Sequence, residues 1–264
     1  MTDHELDLRA LAAPAVVREA GRLARGFFEG RAQLEVEHKG MQDLVSVADR
    51  AVEDLIRERL APAFPEDGFI GEESGVQGPK GGPGQWVIDP IDGTANFLHG
   101  VPYWSVVLAY VRGRTTEIGV TYDPVHDDLF VARRGQGATR NGQPIRVSGV
   151  TDAQRAIFGH TFSFKMEITP YLRTLGALLE AGADHRRLGS TALMMCHVAD
   201  GRLDGCVTLR CSAWDVIAGL LTVGEAGGIA KDFLADADIA EPNSVFACTP
   251  GLQAVIERAS GLRA

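Results

Sequence analysis

The chain has 264 residues, 45% of them hydrophobic, and a formal net charge of −9. That supplies enough apolar material for a large self-contained core, in one domain or two closely packed halves. The acidic balance, with no Lys/Arg-rich arm, argues against nucleic acid as a partner; the lack of a membrane-length apolar run and the acidic first residues argue for a cytoplasmic protein with no membrane partner.

Taken in chain order, residues 8–28 carry Leu11, Val16, Leu23 and Phe27 at roughly helical spacing, and a second helix is predicted over 47–60, stopped by Ala61-Pro62. Between them, 35–42 is charged and contains glycine, and reads either as a flap or as an inert loop. The short apolar run Phe69-Ile70-Gly71 ends on Glu72-Glu73, and the glycine-rich 78–84 is a turn before a strand at Trp86. Three strand-like groups follow within 104–132, broken by Gly113 and Asp123-Pro124, and Asn141-Gly142 is a hairpin signal. After about Val150 the pattern resets to strand 156–160, helix 170–181, strand 184–187, helix 190–200, strand 204–209 and helix 214–226, closed by Gly227-Gly228. Two subdomains are therefore expected, 1–150 and 151–264, in a mixed α and β chain. Cys196, Cys206, Cys211 and Cys248 lack metal-site spacing and sit in apolar surroundings, as buried free thiols do.

The run Trp86-Val87-Ile88-Asp89-Pro90-Ile91-Asp92-Gly93-Thr94 carries most of the chemistry. Proline fixes its own φ and holds Asp89 extended, so Asp89 and Asp92 are expected to converge across a proline-fixed turn. Gly93-Thr94 then offers backbone N–H groups to an anion if a helix starts there. Glu72 upstream and Asp215, just before a long apolar helical pattern, add two further carboxylates. Hard oxygen ligands without a Cys or His set point to Mg²⁺, with Mn²⁺ as the alternative. Taken singly, Glu72-Glu73 reads as a solvated pair, Asp215 as first-turn charge on a helix and 89–93 as a capped turn. Taken together and in order, they read as a metal site.

Three blocks carry a resemblance: Gly71-Glu72-Glu73, then 86–97, then Trp214-Asp215-Val216-Ile217-Ala218-Gly219 with Glu225-Ala226-Gly227-Gly228. Weaker similarity lies in Lys39 with 43–49 and in Leu188-Gly189-Ser190 with 198–205. The chain resembles the inositol monophosphatase family of magnesium-dependent, lithium-sensitive phosphatases over nearly its whole length. The resemblance implies a layered α/β/α/β/α sandwich, α+β or α/β in class, with two or three Mg²⁺ ions and a homodimer. It implies one ion held by Glu72, Asp89 and the Ile91 carbonyl, and a second held by Asp89, Asp92 and Asp215. Thr94 and Asp49 match the pair that orients or deprotonates the attacking water, with Glu72 beside them. Gly93 and Thr94 match the phosphate turn, Gly189 and Ser190 a substrate loop, and Glu73 and Lys39 are expected next to the ligands rather than among them.

The substrate implied is a small phosphate monoester, inositol 1-phosphate first. Thr208 stands where many relatives carry a sugar-binding glutamate, and Arg210 lies nearby, which weakens a polyol and suits a second anionic group. Histidinol phosphate is the nearest rival; fructose 1,6-bisphosphate, 3′-phosphoadenosine phosphates and a non-catalytic binding module follow. An aspartyl nucleophile is disfavoured, since two residues rather than one separate Asp89 from Asp92.

Overall fold

The computed structural model describes residues 3–31, 36–40, 43–79 and 81–264. Helix α1 (Asp3–Glu29) is followed by the antiparallel pair β1 (Val36–Gly40) and β2 (Asp43–Ser46) and by helix α2 (Val47–Leu60). The 35–42 stretch, read from sequence as a flap or loop, is thus strand over Val36–Gly40; residues 35, 41 and 42 and the Lys39 side chain lie outside the described residues. Next come β3 (Gly68–Gly71), β4 (Gly75–Gln77), β5 (Gln85–Asp92), α3 (Thr94–His99), β6 (Ser105–Arg112), β7 (Thr115–Asp123), β8 (Asp128–Arg133), β9 (Gly137–Arg140) and β10 (Gln143–Pro144). The second half supplies β11 (Ile157–Thr161), α4 (Ile168–Glu180), β12 (Asp184–Arg186), α5 (Thr191–Ala199), β13 (Gly205–Cys211) and α6 (Ala213–Glu225). No element is predicted after Gly228 from sequence, yet β14 (Ile229–Ala230), α7 (Phe233–Asp236), β15 (Asn243–Cys248) and α8 (Gln253–Ser260) complete the chain.

Two large sheets result. One has eight strands in the order β10-β9-β8-β7-β6-β5-β3-β4, the other five in the order β12-β11-β13-β15-β14. Side-chain alternation along β6 explains the layering. Val106, Leu108 and Tyr110 enter the core beneath α1 and α2, with Val17, Ile56 and Trp86. Val107, Ala109 and Val111 enter the opposite core, with Met195 of α5 and Ile217 of α6. Strand β6 is therefore apolar on both faces, as a central strand between two helix layers must be.

Helices α5 and α6 also meet the five-stranded sheet, whose Cys206, Val245 and Ala247 join the same core. The outer face of that sheet packs Phe158, Val207 and Phe246 against Leu178 of α4 and Ile256 of α8. The order is helix pair, sheet, helix pair, sheet, helix pair, so the expected α/β/α/β/α sandwich is the observed architecture. Where α6 ends, Gly227 takes φ 86° and the amides of Gly227 and Gly228 bond to the carbonyls of Gly224 and Val223. Glycine relieves the steric penalty of that left-handed stop. All four cysteines are buried and unpaired.

Candidate metal and phosphate site

Residues three apart on a regular strand point to opposite faces, so Asp89 and Asp92 ought to diverge. The structure resolves this with a bulge. Asp89 pairs with Val107 of β6 and Asp92 with Ser105, so that two residues, Pro90 and Ile91, stand opposite one, Val106. One extra residue restores the parity, and both carboxylates face the α5–α6 layer. The sequence expectation of a proline-fixed turn is corrected here: β5 runs on through Pro90 to Asp92. The proline is accommodated beyond the last β3–β5 pair, Gly71 with Ile88. Inside the bulge the Ile91 amide donates to Asp89 Oδ1 at 3.0 Å, and Thr94 Oγ1 donates to the Ile91 carbonyl at 3.0 Å.

Glu72 leaves the end of β3, its amide bonded to the Ile88 carbonyl at 3.2 Å. Its turn is held from below by Glu53, a buried carboxylate of α2 that accepts from the amides of Glu73 at 2.9 Å and Ser74 at 3.1 Å. A side chain at Gly71 would collide with the Glu53 carboxyl, so glycine there permits the close approach. Asp49 is buried one turn before Glu53 on the same helix, and its charge reaches Glu72.

Asp92 is gripped by the start of α5. Ser190 Oγ donates to it and also caps the helix through the Leu193 amide; the amides of Thr191 and Ala192 donate to it at 3.1 and 2.9 Å, and Ser105 at 3.4 Å. Ser190, expected on the substrate side, is fully buried and turned onto Asp92 instead. Asp215 lies in the first turn of α6, where its Oδ2 accepts the Ser212 amide at 2.8 Å. Helix capping and membership of the cluster, separate readings of Asp215 from the sequence, hold together.

The electrostatics follow from burial without enough opposite charge. Burial raises Glu72 well above the ordinary carboxylate range, and the nearby charges of Asp215, Glu73 and Asp49 add to it. Asp89 is raised for the same first reason and then by Glu72, Asp92 and Asp215; a hydrogen bond joins the Glu72 and Asp89 carboxyls. Asp92 is raised less, because its bonds from Ser190, Ala192 and Thr191 favour the charged form against burial. Burial and then Asp92 push Asp215 up to about 7. Like charges brought together in low dielectric need protons or cations. Oxygen-only donors with this frustration fit a hard divalent ion. Among the described residues no group of three or more His, Cys, Asp and Glu side chains stands close enough together to hold a metal ion without some adjustment of the side chains.

Two of these acids, Glu72 and Asp215, line a cleft of about 560 Å³. Gly93, at φ 99°, turns the chain into the six-residue α3; a Cβ there would press on the carbonyls of Gly189 at 3.1 Å and Tyr103 at 3.3 Å. Asn96 ties the same elements together, donating to the carbonyls of Tyr103 at 2.7 Å and Leu188 at 2.8 Å. Gly93, Thr94, Gly189, Thr208 and Arg210 all line the cleft. The Thr208 hydroxyl is nonetheless committed, donating to the Arg210 carbonyl at 3.2 Å. A second cavity, of about 510 Å³ beside the end of α6, has its charges tied up: Glu225 accepts the Gly135 and Gly137 amides, and Lys231 pairs with Asp236.

Sequence reading missed Glu53, Asn96 and the cleft wall of Phe162, Phe164, Lys165 and Arg187. For Glu53 a signal existed: two acids, Asp49 and Glu53, occupy the otherwise apolar buried stripe of Ala48, Val52, Ile56 and Leu60.

The sequence model of the inositol monophosphatase family matches residues 6–259. The Nus factor SuhB of Escherichia coli K12 is 41% identical over 224 residues, 84% of either chain. Among solved structures, the extragenic suppressor protein suhB of Bartonella henselae superposes with a TM-score of 0.88 at 31% identity, covering 97% of this chain and 98% of its own. The inositol monophosphatase of Anabaena gives a TM-score of 0.82 at 31% identity, covering 96% of each. The chain belongs to the inositol monophosphatase family.

Proposed function

We propose that the chain is a Mg²⁺-dependent phosphomonoesterase for a small phosphate ester, inositol 1-phosphate in the first instance. Glu72, Asp89, the Ile91 carbonyl, Asp92 and Asp215 are its cation ligands. The observation that carries the reading is the gathering of four carboxylates from three distant segments, their proton affinities raised first by burial and then by one another's charges. Two or three Mg²⁺ ions, or Mn²⁺, would supply charge neutralisation and an acidified water when bound there.

The chain's own residues do the rest. A phosphoryl transition state is loose and charge-rich, so positioning dominates. The amides of Gly93 and Thr94 take phosphate oxygens at the mouth of α3. The Thr94 hydroxyl donates its hydrogen bond to the Ile91 carbonyl, which leaves its oxygen lone pairs to orient the attacking water. Asp49, buried beneath Glu72, stands as the proton acceptor for that pair. The bulge and the α5 grip hold Asp89 and Asp92 on one face before substrate arrives.

The test is hydrolysis of inositol 1-phosphate and histidinol phosphate with Mg²⁺, with EDTA and with lithium. Hydrolysis that depends on Mg²⁺ and is lost in Asp92→Asn supports the reading; Mg²⁺-dependent hydrolysis retained in that variant overturns the ligand assignment. The names of the 41%-identical relatives favour a second reading, a Nus-factor role. That role and hydrolysis are separable, because a binding role would survive Asp92→Asn. A homodimer is the assembly proposed, checked by light scattering.

A further inference from the structure

Two stretches far apart in the chain lie side by side at the turn of Gly93 and Thr94. On one, Asp92 and Asn96 bracket the turn; on the other, Leu188 and Ser190 bracket Gly189 just before α5. A tie closes each end. At the first, Asp92 accepts the Ser190 hydroxyl and the amides of Thr191 and Ala192. At the second, the Asn96 amide nitrogen gives one hydrogen to the Leu188 carbonyl, 92 positions away, and the other to the Tyr103 carbonyl. Between the ties two glycines meet, Gly93 at φ 99° and Gly189 at φ 91°. A Cβ on Gly93 would stand 3.1 Å from the Gly189 carbonyl and 3.4 Å from Ser190 Cβ, and a Cβ on Gly189 would stand 2.6 Å from the Asn96 amide nitrogen. Packed this closely, neither stretch shifts without dragging the other.

Asn96 has a firm base from which to hold them. Its own carbonyl accepts the Val101 amide at 2.8 Å, and its neighbour Phe97 is fully buried, with ring centroids 5.5 Å from Phe28 and 4.9 Å from Trp104. An asparagine amide nitrogen carries two hydrogens, and here both are used; aspartate, of the same shape, has neither. We propose that Asn96 is a positioning residue that locks the turn of Gly93 and Thr94 to the start of α5, so that the backbone amides of the turn and the Asp92 carboxylate are set as one unit. Coupling of this kind is a free energy shared between two places, and it shows as two variants whose losses do not add. What the unit is for rests on the phosphomonoesterase reading, but the lock itself is a property of the metal-free chain.

The test compares Asn96→Ala, Ser190→Ala and the double variant with wild type. In the metal-free protein, hydrogen exchange is followed in peptides covering 93–97 and 188–193. Either single variant should speed exchange in both peptides by about tenfold and leave β15 at its wild-type rate. With Mg²⁺ and inositol 1-phosphate, Asn96→Ala should lower kcat/KM by about 10–100-fold, with kcat falling and KM rising together, because the ligand and the turn move as one. A loosened fold would lower kcat through the active fraction and leave KM alone. The double variant should be no worse than about the poorer single one. Two further variants reach the lock by other routes: Asn96→Asp keeps the shape without the donors, and Gly189→Ala crowds the Asn96 amide from the opposite side. Both should repeat the paired exchange response. Faster exchange confined to one peptide, a fall in kcat at constant KM, or losses that multiply in the double variant overturns the lock. Paired exchange in a protein that hydrolyses no phosphate ester upholds the lock and sinks the phosphomonoesterase reading, whereas hydrolysis with the two peptides responding separately does the reverse.

Discussion

Asp67 and Asp89 sit near opposite ends of β5 and each has only 1% of its surface exposed, yet the protein treats them in contrary ways. Asp67 is satisfied from within. Arg9 donates to both of its oxygens, at 2.8 and 2.7 Å, the Trp86 indole donates at 3.0 Å and the Tyr110 hydroxyl at 3.2 Å, with Trp86 and Tyr110 packed 4.8 Å apart. Asp89 has acids for neighbours, and burial first, then the charges of Glu72, Asp92 and Asp215, push its proton affinity up. A folded protein ordinarily pairs every buried charge. Where it crowds carboxylates instead, the missing opposite charge comes from solution, and the instability is the binding energy held ready.

The sharpest way to break this comparison is to exchange the sites. Asp92→Asn should lower kcat/KM on the order of a thousandfold, the scale seen when a group facing transition-state charge is lost, with an unchanged circular-dichroism spectrum. Arg9→Met should do the opposite, leaving kcat/KM near wild type while stranding Asp67 and destabilising the fold by about 3–5 kcal/mol in urea titrations. A variant pair with these effects interchanged would mean that the two ends have been misread.

The pH dependence follows next in size. Asp215, near 3.8 in the unfolded chain and about 7 in the fold, keeps its proton in the native state when the unfolded state has lost it. Stability of the metal-free protein therefore falls as pH rises from 3.8 through 7, by up to about 4 kcal/mol from this group. Added Mg²⁺ should raise Tm strongly above pH 7 and little near pH 4, since protons already neutralise the cluster there; a shift independent of pH would sink the linkage. Ser190→Ala should lower kcat/KM by about 10–100-fold, as when a ligand loses its supporting bond. Glu53→Gln is the smallest change, about 1–3 kcal/mol of stability, because an amide N–H replaces one acceptor beneath the Glu73 and Ser74 amides.

Much of the site was readable because its acids stand beside strong local signals: Glu72 ends an apolar run, Asp89 and Asp92 bracket a proline, and Asp215 opens an apolar helix. The reason that Asp89 and Asp92 share a face was not readable, since a bulge is fixed by the pairing of Asp89 and Asp92 with Val107 and Ser105 on another strand. Ser190 went to the wrong neighbour for a similar reason: its partner lies 98 positions away. The layers followed from the resemblance, because periodicity alone does not say which helices slide between two sheets. Phe162, Phe164 and Lys165 left no trace because an irregular segment has no period to betray it.

The grip of α5 on Asp92 sets a timetable for biogenesis. Asp89 and Asp92 emerge from the ribosome well before Ser190, Thr191 and Ala192, and before Asp215. A nascent chain bearing only the first sheet has the acids but not the hand that aims them. On the proposed metal reading, the aimed pair of carboxylates is complete only once translation has delivered α5 and α6.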